Sequence, residues 1–140
     1  NSGDYQSAQI AWLRVLNLSP EYIRAYLSLG ILYYEMEQFE KAELALSQGF
    51  GLEKRWNEAF PLALAKINLG KYTEVIGLIK NNFGENPERR ELRFALGLAY
   101  LKKGDIEKAA FYLNQIKGED MSIEEYMKQI NKIKVFTINE

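Results

Sequence analysis

The chain has 140 residues, about one domain by length, and 47% of them are hydrophobic, enough to bury a core. Its 18 basic and 19 acidic residues nearly cancel and are interspersed, which argues against an electrostatic nucleic-acid binder. Cys and His are both absent, which excludes disulfides, thiolate zinc sites, a Cys nucleophile and the commonest general base and metal ligand.

No apolar run reaches the roughly 18 to 20 residues of a membrane span, so no membrane contact is expected from this stretch. No secretory signal stands at the N-terminus. The chain starts at Asn1 rather than Met, and the expectation is a piece of a longer protein.

Taken in chain order, residues 3–20 (GDYQSAQIAWLRVLNLSP) read as the second helix of a helix pair whose first helix is missing, after a break at Gly3-Asp4. Its apolar flank around Ile10, Trp12 and Leu13 is expected to lie open. Pro20 precedes the next helix, a position where proline is tolerated. That helix is predicted over residues 22–37, with Tyr26, Leu29, Tyr33 and Met36 along one face at helical spacing. A break at Glu37-Gln38 leads into a partner helix over residues 39–50, ended near Gly49 and Gly51. Residues 59–79 (AFPLALAKINLGKYTEVIGLI) repeat the arrangement around a break at Gly70-Lys71, and Pro87 opens the next copy. In that copy, residues 96–113 (LGLAYLKKGDIEKAAFYL) break at Gly104-Asp105. Residues 122–135 (SIEEYMKQINKIKV) carry a capping box in Ser122 and Glu125 and an apolar stripe at Ile123, Tyr126, Met127 and Ile130, and read as a capping helix.

The copies are in phase. Leu29, Gly30, Tyr33, Glu40, Lys41, Ala42 and Leu46 recur 67 residues later as Leu96, Gly97, Tyr100, Glu107, Lys108, Ala109 and Leu113. That shift is two periods of about 34, and the intermediate copy has Leu62-Ala63, Val75 and Ile79 at the matching places, as the first copy has Ala8 and Trp12. Antiparallel helices that cross closely need small residues at the crossing points. Gly30, Ala63 and Gly97 supply them on the first helices, and Ala8, Ala42 and Ala109 on the second. Gly97 is expected to close on Ala109. One pair cannot bury both of its faces, so the pairs must stack.

This organisation resembles the tetratricopeptide repeat family, whose pattern is Trp-x-x-Leu-Gly-x-x-Tyr, then Ala-x-x-x-Phe, then Pro. Here the pattern stands as Tyr26-x-x-Leu29-Gly30-x-x-Tyr33 with Ala42-x-x-x-Leu46, and as Arg93-x-x-Leu96-Gly97-x-x-Tyr100 with Ala109-x-x-x-Leu113. Departures are Lys66 for the aromatic, Asn82 for a small residue and Met121 for the proline, which predict looser packing of the middle copy. The resemblance implies an all-α solenoid of antiparallel helix pairs wound as a right-handed superhelix. The expected division is a half repeat over 1–22, repeats over 23–55, 56–89 and 90–123, and a capping helix and tail over 124–140.

In the family the first helices line a concave groove. Carried over, its positions are Leu27, Ile31 and Tyr34, then Phe60, Leu64 and Ile67, then Phe94, Leu98 and Leu101, each row one face of a helix. All nine are apolar, which marks an exposed patch with a partner. A subgroup of the family clamps C-terminal carboxylates of chaperones with Lys and Asn. Leu27, Ile31, Phe94 and Leu98 stand at those places here, which disfavours such a clamp. The expected ligand is an apolar or amphipathic segment of a protein partner. Residues 135–138 (VFTI) are a candidate plug from the chain itself.

Catalytic patterns do not assemble. Gly49-Phe50-Gly51 and Gly70-Lys71 are fragments of nucleotide-binding motifs that read better as helix ends. Glu35, Glu37 and Glu40 read as a solvated helix face, and Asn17-Leu18-Ser19 as a chance glycosylation tripeptide. No catalytic residue, metal site or cofactor is expected. The function expected is a non-catalytic interaction module, an adaptor, scaffold or chaperone. The alternatives are a self-assembly module, engaging a second copy through the groove or the open N-terminal end, and an accessory domain of a larger enzyme or membrane-associated assembly.

Overall fold

A computed structural model describes residues 2–117, which form α1 (Ser2–Leu18), α2 (Ile23–Glu35), α3 (Phe39–Leu52), α4 (Trp56–Asn68), α5 (Tyr72–Phe83), α6 (Arg90–Lys103) and α7 (Ile106–Lys117). Among the described residues there is no strand, and the fold is an all-α solenoid. The capping helix expected over 122–135 and the plug at 135–138 lie outside the described residues.

The three first helices end in one way. Beyond α2, Glu37 takes a φ of 59°, its N–H bonds to the Tyr34 carbonyl at 2.9 Å, and the Gln38 N–H reaches the Tyr33 carbonyl at 2.8 Å. Beyond α4 the same two bonds run from Gly70 to Ile67 at 3.0 Å and from Lys71 to Lys66 at 2.8 Å. Beyond α6 they run from Gly104 to Leu101 at 3.1 Å and from Asp105 to Tyr100 at 2.9 Å. This is the Schellman closure, which turns the chain through a left-handed residue. Gly70 and Gly104 hold that conformation freely, whereas Glu37 holds it against the clash of its own Cβ. All three breaks fall where the sequence predicts them.

One other predicted break is absent, since α1 runs straight through Gly3-Asp4, while α3 ends at Leu52, one residue beyond Gly51. Gly49 is a packing residue rather than a terminator: a Cβ there would stand 3.0 Å from Cβ of Tyr26 and 3.4 Å from Cγ of Glu58.

Each first helix packs on the helix that follows it, and α4 also touches both α2 and α6, so the first helices stand side by side. The tightest approaches are at the repeated glycines. A Cβ on Gly30 would stand 2.3 Å from Leu46 Cγ, and one on Gly97 would stand 2.6 Å from Leu113 Cγ. The residue over Gly97 is therefore Leu113. Ala109, which the sequence reading pairs with it, contributes only its carbonyl oxygen at 3.5 Å. Ala63, Val75 and Ile79 are fully buried at the corresponding crossing in the middle pair.

Lys66, in the aromatic position, is held by charge instead, and α4 packs on α5 less closely than α2 on α3 or α6 on α7, the looser middle copy that the sequence predicts. In the outer repeats Lys41 lies over the ring of Tyr33 at 5.8 Å, and Lys108 over that of Tyr100 at 5.4 Å. In the middle repeat Glu74 occupies the lysine's place and Lys66 the tyrosine's, and the two form an ion pair at 2.8 Å. Lys66 also reaches Glu43 on α3 at 2.8 Å, and Glu43 accepts from Lys71 at 2.8 Å, so one carboxylate ties α3 to α4 and to the turn that leads into α5.

Partial burial penalises the Glu43 carboxylate, but hydrogen bonds and charge from Lys66 and Lys71 outweigh that penalty and hold it below its ordinary 4.5. A depressed carboxylate stabilises the fold above its unfolded value, and the contribution is lost as pH falls through the folded value. Urea midpoints should therefore fall on going from well above to well below pH 4.5. Glu43→Gln should remove that share of the slope, and an unchanged slope would refute the assignment.

Candidate partner-binding cleft

Between α2 and α4 a cleft of about 250 Å³ opens at the surface. Leu27, Ile31 and Tyr34 come from one wall, and Phe60 and Leu64 from the other. These are five of the nine positions expected to line a groove. Ile31 remains 40% exposed with apolar neighbours around it, whereas Leu27 and Phe60 are half-buried. Tyr34 and Leu64 form the floor, 4% exposed each.

The floor is held rigidly. The Tyr34 hydroxyl accepts from the Asn68 amide at 3.0 Å, and the same amide donates to the Leu64 carbonyl at 2.9 Å. Phe39 meets the Tyr34 ring edge-on at 5.2 Å. Burial pushes the Tyr34 phenol above its ordinary 10.0, so it stays neutral and acts as wall rather than as acid or base.

The other four positions lie elsewhere. Ile67 is buried in the central core. Phe94, expected to face solvent, is 1% exposed, because α7 brings Ile116 onto it with Phe60, Leu98 and Leu113 alongside. Leu98 is half-buried in that cluster, and Leu101 stands exposed at the far end of α6. Across α4 and α6 the expected groove is thus packed where Phe94 meets its neighbours.

The cleft also has four lining residues that the sequence reading does not assign to it: Glu35, Trp56, Asn57 and Pro61. Trp56 opens α4 and is fixed from outside by the Arg89 guanidinium, 3.7 Å from its ring centre. Pro61 lies inside α4, where its ring removes a backbone donor. Glu35 is not part of a solvated face. It is half-buried on the cleft wall, while Glu37 and Glu40 are exposed as expected. Its place next to Ile31, one turn along α2, could have found it.

The cleft is of a size to take a side chain, its volume lying just below the ~300–1,000 Å³ of small-molecule pockets. Among the described residues no group of three or more His, Cys, Asp or Glu could hold a metal ion, and no helix is long and apolar enough to cross a membrane.

Two family models, both described as tetratricopeptide repeat, match residues 23–55 and 60–122, together more than half of the chain. The chain belongs to the tetratricopeptide repeat family. A solved structure titled "MamA MSR-1 C2" superposes with a TM-score of 0.69 over 91% of this chain and 71% of that one, at 21% sequence identity, and so shares the fold. A comparison with curated proteins yields no match. Tetratricopeptide repeats are in general non-catalytic interaction modules. The chain is accordingly a protein-interaction or scaffold module with protein partners.

Proposed function

We propose that the cleft between α2 and α4 is where this tetratricopeptide array docks an apolar or amphipathic segment of a protein partner, and that the chain works as an adaptor, scaffold or chaperone without catalysis of its own. The observation that carries the reading is Ile31: a branched apolar side chain 40% exposed on the wall of an apolar cleft whose floor is already rigid. A preformed floor lowers the ordering cost of binding, and the apolar walls supply the driving force.

Ile31 is also the residue to test, because Leu64 is buried and its replacement would damage the core. Ile31→Glu should reduce capture of the partner at least about tenfold while leaving the thermal midpoint nearly unchanged, as surface substitutions do. Quantitative mass spectrometry of captured proteins, wild type against variant, reads the result. Capture unaffected by the substitution would overturn the assignment.

A second reading, self-assembly, is favoured by α1, where Ile10 is 53%, Leu13 45% and Leu18 83% exposed. Light scattering across a concentration series separates the two.

A further inference from the structure

Glu35 is the only carboxylate lining the α2–α4 cleft, and it has no hydrogen bond or ion pair among the described residues. Burial pushes its carboxyl above the ordinary 4.5, with no opposing contribution from a partner. The half-buried group has lost part of its hydration without gaining a donor, a cost a folded protein normally offsets. The equivalent residue in the next repeat is Asn68, whose amide is engaged by Tyr34 and Leu64. The equivalent after that, Lys102, is exposed on α6. The unpaired polar group is thus particular to this cleft.

A ligand that is apolar throughout would strip more water from Glu35 and leave it unpaired, whereas an ammonium or guanidinium would restore what burial removed. Ile31 and Glu35 are one turn apart on the same face of α2, so an apolar anchor and a cation separated by about one helical turn, ~5.4 Å, would meet both. We propose that the cleft selects a protein segment carrying a bulky apolar side chain and, one turn away, a Lys or Arg: the apolar group fills the space between Ile31 and Phe60, and the cation pairs with Glu35. This rests on the reading of the cleft as the partner site and adds its charge preference. The carboxylate acts as much by exclusion as by attraction, since a segment without the cation must bury it uncompensated.

The test uses two short synthetic amphipathic helical peptides, identical except for Lys or Gln one turn after a Phe anchor. Their binding to the 140-residue chain is followed by fluorescence anisotropy. Wild type should bind the Lys peptide roughly fivefold to tenfold more tightly than the Gln peptide, the range for a partly desolvated charge-assisted contact. Glu35→Gln, at a half-buried position the fold does not depend on, should abolish the difference by weakening the Lys peptide. Equal binding of both peptides to wild type, with both lost in Ile31→Glu, would leave the cleft as the docking site and overturn the charge selection. Failure of both peptides to bind would overturn the two readings together. A dimer dissociated by Ile31→Glu would make a second copy the occupant, and displacement of both peptides by a synthetic peptide of residues 131–140 would make it the chain's own end. Either result overturns the proposal.

Discussion

Gly30→Leu should destabilise the array by about 3 kcal/mol, the upper end for overpacking a well-filled core. That corresponds to a fall of roughly 10 °C in thermal midpoint for a domain of this size. Even the first added carbon would stand 2.3 Å from Leu46 Cγ, inside any van der Waals contact, and Leu46 is fully buried with no space to retreat into. Helix propensity alone predicts the opposite sign, since Gly costs about 1 kcal/mol against other residues in a helix interior. Gly51 in α3 serves as the control. Nothing lies within 4 Å of a Cβ built there, so Gly51→Ala should stabilise by about 0.5 kcal/mol. Gly30→Leu combined with Leu46→Ala should recover part of the loss by moving the volume from one helix to the other. Differential scanning calorimetry of the four proteins decides it. A thermal midpoint unchanged in Gly30→Leu would refute the packing account.

That contact shows why so much of the fold was legible. A small residue on one helix and a large one on its neighbour recur in every repeat, and a period of about 34 makes a local pattern visible three times over. Helix ends were equally readable, because the Schellman closure needs only a residue that tolerates positive φ two beyond the last turn, and even Glu37 is betrayed by its register with Gly70 and Gly104.

The site was less legible for a physical reason. Whether an apolar row on a first helix faces a groove or a neighbour depends on how close the next helix stands, and that distance is set by residues far along the chain. Leu27 and Phe94 occupy equivalent positions. Yet Leu27 lines the cleft, while Phe94 is covered by Ile116 of α7. Trp56 and Asn57 join the cleft through the angle at which α4 leaves the loop after α3, which no periodicity encodes. Glu35 was grouped with Glu37 and Glu40 by composition, but Glu35 closes α2 on the cleft wall, whereas Glu37 lies in the turn and Glu40 on α3. Gly49 misled in the same way: glycine signals both a helix end and a close approach, and only the position of Tyr26 and Glu58 distinguishes them.

The buried charge behind Gly49 supports the second large prediction. Glu58 is 0% exposed, in the first turn of α4, and the Arg55 guanidinium grips both of its oxygens, Nε at 2.9 Å from Oε1 and the nearer Nη on Oε2. Arg55→Ala should cost about 3 kcal/mol, the lower end for breaking a buried pair, because the arginine itself is partly exposed while the carboxylate it leaves behind is not. Arg55→Lys should recover only part of this, since an ammonium cannot reproduce the two-pronged contact. The chain itself indicates the remedy. The positions equivalent to Glu58 in the neighbouring repeats are Ala25 and Leu92, both apolar and both 0% exposed. Arg55→Ala combined with Glu58→Leu should therefore approach wild-type stability in chemical denaturation, although each partner's charge is gone. If the double variant were as unstable as Arg55→Ala alone, the loss would lie in the packing of the arginine stem over α4 rather than in a stranded carboxylate.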